Sequence, residues 1–526
     1  MSALPPFLRV PPFPGRRVNS LAQAGTSQAD PAALAAALRQ ARVGGMFWGA
    51  QPTLAPCDGI VLAPDSASQR AEMTAALGGR AGYDLPSGCD PWWIAAHAAE
   101  VWAGADQELA LVAALVGTPL RIFGAGRFAG CDRDTAAVAA RVVGEWAYRD
   151  PFTGADWSGF DTIVQLGEWR RLIDANRAIA AVFGVARWKR ETLDALLWDG
   201  AGPVRHAGKV AAALGPADRV VAWKTRTAPA VLAALARQEC AVGELEDGMI
   251  RSTGLGANCV PPLSAIVDFT GVYFDPSGPS DLETLLETAE IAPELCARAA
   301  ALRADLVRGA VSKYGQGGAP VALGGDGRRR VLVTGQVEDD RSIQSGGGGM
   351  TNLALLARAR ELEPDAWIVF KPHPDVMAGH RKGHVPPGEA LRHADEVLPD
   401  APIVSLIDSV DALHVITSLA GFEALLRGKP VTTHGVPFYA GWGLTRDLAA
   451  IPPRRTRSRS LDELVAATLL LYPRYLDPVT RLPCPAEVVV RRMAQGQAQI
   501  SSPLVTLRQW QGRARMALRR LPGGSR

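Results

Sequence analysis

Short apolar runs that each end on a polar cluster constrain this chain more than any other feature. Trp367-Ile368-Val369-Phe370 delivers Lys371, His373 and Asp375 to one turn, and His414-Val415-Ile416 delivers Thr417 and Ser418 to the start of a helical stretch from Leu419 to Leu426. Runs of this length read as strands, and strands alternating with helical segments build an α/β fold whose loops gather at the carboxyl ends of the strands. A hydroxyl pair that opens a helix is an anion site, because the unpaired N–H groups and the helix dipole both point at the ligand. The phosphate of a nucleotide is the first candidate.

The same alternation begins near Pro216. Arg219 to Trp223 reads as a strand, Pro229 to Glu239 as a helix, and Ala241 to Leu245 as a second strand that ends on Glu246-Asp247-Gly248. This is a βαβ unit with an acidic pair where open α/β sheets place their ligands. Ser280-Asp281-Leu282-Glu283 forms a capping box, and Ser460 to Glu463 offers another. Between Gly315 and Arg330 the chain turns Gly- and Arg-rich, which reads as a linker or exposed loop, and a new strand series starts at Val331. Two Rossmann-like halves follow, roughly 205–325 and 330–485. A chain of 526 residues, 48% hydrophobic and 21% charged, supplies cores for more than one domain.

The first 200 residues repeat the end of the chain. Glu108 to Pro119, followed by Gly124 and Arg127-Phe-Ala-Gly130, parallels Leu419 to Pro430, followed by Gly435 and Phe438-Tyr-Ala-Gly441. Tyr148 to Thr153 likewise parallels Tyr475 to Thr480. Asp106-Gln107 stands where the later copy has Thr417-Ser418, and no string there matches EDG or KPHP. Residues 1–200 therefore read as a truncated, degenerate Rossmann-like copy of a module, chemically disarmed. Net charge of +3 excludes neither acidic nor neutral substrates and gives no pointer to nucleic acid. Scattered cysteines without CxxC spacing fit a reducing cytoplasm and supply no metal set. No stretch reaches the roughly 18 apolar residues of a membrane span, and no export signal opens the chain. At the other end, 500–526 is a basic tail in which Leu507, Trp510, Ala514 and Leu518 share a helical face, as in helices that lie on anionic membranes; a disordered basic tail is the alternative.

Three clusters end strands: Glu246-Asp247-Gly248, Gln336 to Asp340, and Lys371 to Pro374. Taken singly they are weak, since EDG is a common turn and a DD pair often caps a helix. Together they supply what glycosyl transfer needs. One carboxyl group exchanges a proton with an acceptor hydroxyl, another attacks or stabilises an anomeric carbon, and donors hold the departing phosphate.

EDGMIRSTGLG, PPLSAIVDFTGVYFDPSGPSDLE, GQVEDDRSI, KPHPDV, TSLAGFEALLRGKPVTTHG, PFYAGWGLT and LYPRYLDP stand in this order over about 218–485. They closely resemble the KpsC-type β-Kdo transferases of bacterial capsule polysaccharide biosynthesis. The resemblance implies a retaining GT-B glycosyltransferase, with 205–325 on the acceptor side and 330–485 on the CMP-Kdo side. It implies CMP-Kdo as donor substrate with no cofactor and no metal, and a Kdo-bearing lipid acceptor of the phosphatidylglycerol type. It also implies a cytoplasmic protein peripheral to the inner membrane, with the capsule export machinery as a further partner. The EDG, HP and (S/T)S signatures are similar to those of bacterial sialyltransferases. A complete KpsC resembles two modules in tandem. The single intact set here is most like the C-terminal one, which implies β-(2→7) transfer; β-(2→4) transfer, another ulosonic acid, or a non-catalytic capsule assembly factor are the alternatives.

Carried over by residue, the resemblance makes Asp340 the nucleophile, with Asp339 as fallback, and Glu246 the acid/base, with Asp247 orienting it or serving the turn. His373, Thr417 and Ser418 meet the CMP phosphate. Glu423 takes the ribose hydroxyls or faces solvent on its helix. Arg251 and Lys371 bind the Kdo carboxylate or form structural salt bridges, and Tyr439 and Trp442 lie near the cytosine or in the core.

Overall fold

The computed structural model describes residues 5–53, 59–208, 214, 218–252, 260–313, 315–317, 321–379 and 381–498. The chain divides into two compact units, one built from Met1–Val182, Leu193–His206 and Val479–Pro483, the other from Phe183–Thr192, Ala207–Pro478 and Cys484–Arg526. The basic tail at 504–521 lies outside the described residues. Among those described, no helix is long and apolar enough to cross a membrane.

In the second unit, six strands form a parallel sheet in the order Glu396–Val397, Trp367–Lys371, Arg330–Thr334, Ala412–Val415, Val431–Thr433, Arg446–Asp447. Its central strands carry Val331, Leu332, Val333, Ile368, Val369 and Leu413 in full burial. Such near-continuous apolar runs mark strands covered on both faces. Thr334 pairs with Lys371 and Val333 with His414, so the polar clusters that follow these strands emerge at one edge.

The acidic pair is carried by a different sheet of the same unit. Arg219–Ala222 and Ala241–Asp247 are parallel neighbours, joined by the helix Pro229–Arg237. Ser264–Asp268 then returns antiparallel beside the second, and Arg474–Leu476 pairs antiparallel with it. This half is thus a mixed sheet rather than the parallel one that a Rossmann-like reading implies, since an antiparallel return needs no crossover helix. The Gly- and Arg-rich stretch is no loose linker where it is described. The Gly324 N–H donates to Glu396 at 2.8 Å, and Arg330 Nε donates to the Gly324 carbonyl at 2.9 Å, which fastens the stretch to the sheet edge.

Only one of the two capping boxes forms in full. Ser460 and Glu463 satisfy each other's backbone N–H groups. At the other, the Glu283 N–H donates to Ser280 Oγ at 3.1 Å, but the Glu283 carboxylate turns away to Arg454 and to Arg455 Nε, the latter at 2.7 Å. Arg455 is buried, and its guanidinium also donates to the carbonyls of Pro437 at 2.9 Å and Ala440 at 2.8 Å. A buried cation demands a counter-charge more strongly than a helix end demands a second cap.

Within the first unit, the strands Gly82–Asp84, Ile60–Ala63, Glu100–Gly104 and Leu120–Phe123 form a parallel sheet in that order. By chain position this is the order taken in the other unit by Trp367–Lys371, Arg330–Thr334, Ala412–Val415 and Val431–Thr433. The likeness therefore extends upstream of Glu108, where the residues no longer match. Details repeat as well. Gly117 at φ 88° closes the first copy's helix as Gly428 at φ 70° follows the second's, and Tyr148 and Tyr475 each donate, at 2.9 Å, to the carbonyl of an earlier residue, Val143 and Leu469. One detail differs in charge. Two residues past its strand, Asp65 accepts the Asp106 N–H and the Gln107 side-chain amide, both at 3.1 Å, whereas at the corresponding place the neutral amide of Gln336 accepts the Thr417 N–H at 2.9 Å.

Glu283 gives a direct test of the ion-pair account. Glutamine caps a helix as well as glutamate does, so a capping role predicts almost no loss for Glu283→Gln. An uncompensated Arg455 predicts a loss of about 3–5 kcal/mol in urea unfolding.

Candidate active site

Glu246 and Asp247 end the strand Ala241–Asp247 in unlike surroundings. Lys189 Nζ donates to one oxygen of Asp247 at 2.9 Å, and Arg251 Nε donates to the other at 2.7 Å. Burial disfavours the Asp247 charge, but these two cations hold its pKa below the ordinary range. The side chain of Glu246 keeps 17% of its surface exposed, and its nearest ion-pair partner, Arg341 Nη1, is 3.7 Å away. Burial first, and then the neighbouring Asp247 charge, push Glu246 up to about 7. Adjacent carboxyl groups with divided pKa values are suited to separate tasks, one fixed as an anion and one able to exchange a proton at neutral pH.

Arg251 is 1% exposed, and besides Asp247 it serves Ser252 Oγ at 2.7 Å and the Val260 carbonyl at 3.2 Å. Of its two sequence readings, the salt bridge is the one observed. Glu244, two residues before Glu246 and so on the same strand face, is buried and paired with Lys224 at 2.9 Å and with Arg341. Arg341 thereby ties the acidic strand to the loop that carries Asp340.

Asp340 caps the helix Arg341–Gly346, and its Oδ1 accepts the Ser342 N–H at 3.0 Å and the Ser342 hydroxyl at 2.8 Å. The Thr417 hydroxyl donates to Ser342 Oγ at 3.4 Å, and Gln336 returns its Nε2–H to Thr417 Oγ1 at 3.1 Å. Thr417 is thus joined to the Asp340 loop by hydrogen bonds. Asp339 instead points outward to Arg381 at 3.1 Å. Ser418 caps Leu419–Leu426 and accepts the Ala420 N–H at 3.2 Å.

His373 Nδ1 accepts the Asp375 N–H at 3.1 Å, and burial holds its pKa below the ordinary range. The neutral ring then carries its proton on Nε2, as a donor. Lys371 is drawn elsewhere: its ammonium donates to the Pro399 carbonyl, and burial lowers its pKa. Glu423 does not lie on a solvated helix face. It is buried, and Oε1 accepts the Lys313 N–H at 3.0 Å. Tyr439 and Trp442 are fully buried core residues; the Tyr439 hydroxyl braces the Ser418 carbonyl, and Trp442 Nε1 donates to the Phe438 carbonyl at 2.8 Å.

The sequence motifs pointed to no role for Glu244, Arg341 or Lys189 of this cluster. Glu244 is signalled by period-2 alternation with Glu246, and Arg341 by adjacency to Asp340. Lys189 has no local signal, because it reaches Asp247 from 58 positions away in the chain. Among the described residues, no group of three or more His, Cys, Asp or Glu side chains could hold a metal ion.

A profile of the family described as capsule polysaccharide biosynthesis protein matches residues 218–316 and 319–475. The chain is 39% identical over 334 residues to the lipopolysaccharide-processing protein LpsZ of Rhizobium meliloti, in an alignment that takes in 61% of this chain and 76% of that one. The chain belongs to the capsule polysaccharide biosynthesis protein family. Within the family it is of the KpsC type. It is similar to the solved structure of Thermosulfurimonas dismutans KpsC, beta Kdo 2,4 transferase, at 33% identity and a TM-score of 0.52, covering 60% of this chain and 98% of that one. It is also 39% identical over 349 residues to the capsule polysaccharide modification protein LipA of Neisseria meningitidis serogroup A, covering 65% of this chain. The chain spans about half the length of LipA, 49%.

The raised Glu246 carboxyl has a measurable cost. Its folded-state value of about 7 lies above the ordinary 4.5, so its contribution to stability is fully present below 4.5 and is lost as pH rises through 7. Glu246→Gln lacks that ionisation. Thermal unfolding should find the variant level with the wild type near about pH 4 and more stable near about pH 8, by on the order of 1–3 kcal/mol. Parallel stability curves across that range would contradict the raised value.

Proposed function

We propose that this chain is a retaining β-Kdo glycosyltransferase with a GT-B arrangement of two α/β halves, moving Kdo from CMP-Kdo to a Kdo-bearing lipid in capsule linker synthesis. The observation that carries this reading is the joining, through Arg341, of a carboxyl group poised near pH 7 to the loop of a second carboxylate. Asp340 attacks the anomeric carbon while its bond to the CMP phosphate oxygen breaks, and the electron pair leaves with CMP. The His373 Nε2–H and the helix start at Thr417 and Ser418 receive that phosphate. An acceptor hydroxyl then gives its proton to Glu246 and displaces Asp340 from the anomeric carbon. Two inversions give retention.

Asp247 serves as the fixed anion beside Glu246, and the buried Glu423 braces the phosphate helix through the Lys313 N–H. Arg251 and Lys371 are buried, whereas Arg341 keeps 32% of its side-chain surface exposed while pairing with Glu244, so it is better placed than either to meet the Kdo carboxylate. Residues 1–200, apart from Phe183–Thr192, which belong to the intact module, are a disarmed copy of such a module. The donor half is 330–485 and the acceptor half 205–325. We read the protein as cytoplasmic and peripheral to the inner membrane, where the phosphatidylglycerol-type acceptor and the export machinery reside. The linkage is β-(2→7) on the resemblance to a C-terminal module. A β-(2→4) linkage is the second reading, favoured by the likeness to a structure described as a 2,4 transferase.

Incubation of the purified chain with CMP-Kdo and a synthetic lipid bearing one β-Kdo, followed by NMR linkage analysis of the product, tests the activity and separates the two linkages. Asp340→Asn should abolish transfer while CMP binding persists; transfer at the wild-type rate would move the nucleophile to Asp339 or end the double-displacement scheme. His373→Ala removes one hydrogen bond to a charged phosphate, so calorimetry should show CMP weakened about tenfold or more. Undiminished CMP affinity would place the phosphate elsewhere.

A further inference from the structure

Lys189 belongs to none of the motifs and stands outside both halves as the sequence divides them. It ends the short turn Arg187–Lys189, and its side chain is only 7% exposed. The ammonium lies 3.3 Å from the centre of the Trp223 ring and 5.1 Å from that of Trp188, so an aromatic face replaces much of its water. Trp223 follows the strand Arg219–Ala222, the parallel neighbour of the acidic strand, which brings its ring to the same sheet edge as Asp247. We infer that Lys189 is a positioning residue for Glu246: it clamps one Asp247 oxygen while Arg251 clamps the other, which fixes that carboxylate beside the acid/base, and its own charge also acts directly on Glu246. This rests on the reading of Glu246 given above.

A buried ion pair is a poor device for stability alone, because apolar residues of similar volume usually serve as well or better. This one differs in what adjoins it. Glu246 faces the charges of Glu244 and Asp247 on its own strand, of Arg251 just beyond it and of Arg341 from the Asp340 loop, with Lys224 neutralising Glu244 from the opposite side. Lys189 favours the ionised form of Glu246, and Asp247 opposes it. Losing the one or the other should therefore move Glu246 in opposite directions.

The test is the pH profile of CMP release from CMP-Kdo with acceptor lipid, on the full chain. Lys189→Gln keeps a hydrogen-bond donor but removes the charge, and it should shift the acid limb upward by about one pH unit, whereas Asp247→Asn should shift it downward. Lys189→Arg keeps the charge and should restore the wild-type limb. An unmoved limb in Lys189→Gln, or a shift in Lys189→Arg equal to that of Lys189→Gln, overturns the inference. If Lys189→Gln alone does not fold, the double variant Lys189→Gln/Asp247→Asn takes its place, and its limb should lie above that of Asp247→Asn; coincident limbs overturn the inference. A wild-type chain that releases no CMP would defeat the transferase reading instead. In that event the pH at which Glu246→Gln gains stability over its parent reports the same ionisation without substrate. That inflection should still rise by about one unit in a Lys189→Gln background, and a fixed inflection overturns the inference.

Discussion

Little water reaches Asp247 where the acidic strand ends, and two cations hold its charge. Lys189 reaches that point from 58 positions away and Arg251 from four residues on, and each needs its own support: an aromatic face for the ammonium, and Ser252 and the Val260 carbonyl for the guanidinium. Once Asp247 is fixed as an anion, its neighbour Glu246 cannot easily become a second one. The proton affinity of Glu246 is thus a property of the whole assembly.

A second consequence concerns Arg341. Glu244 and Glu246 present two carboxyl groups on one strand face, and Arg341 answers both from the loop of Asp340. Beyond Asp340 the hydrogen bonds pass through Ser342 to Thr417 and on to Gln336. Groups at the ends of three strands in two sheets are thereby held in mutual register. The Glu283 pairing with Arg454 and Arg455 follows the same logic in the core, where a buried cation outbids a helix end for a carboxylate.

The helix Leu419–Leu426 and the strands before Lys371 and Ser418 were legible because local chemistry and tertiary burial agree there: the cap, the apolar run and the buried sheet ask for the same residues. Reading failed where distant partners decide. Glu423 looks like a solvated helix position, yet Ala420–Leu426 is buried throughout, and the carboxylate goes to a backbone N–H of Lys313. Lys371 looks like a substrate cation but is captured by a neighbouring carbonyl. Glu283 satisfies the spelling of a capping box while its charge is used elsewhere. In each case the side chain's partner lies far off in sequence, which periodicity and spacing do not report. The antiparallel return of Ser264–Asp268 was missed for a related reason, since no local signal states a strand's direction.

Asp65 changes what the first unit's helix start can offer. At the corresponding place in the other copy, a neutral amide takes the backbone N–H; here a carboxylate does, and the Gln107 side chain adds a second donor to it. The chain thus holds a carboxylate of its own beside this helix start. A phosphate about 4 Å from that carboxylate would be repelled by about 1 kcal/mol even at the dielectric of bulk water. A single residue past the strand thus changes the charge offered at this helix start, while the surrounding sheet keeps the strand order of the other unit.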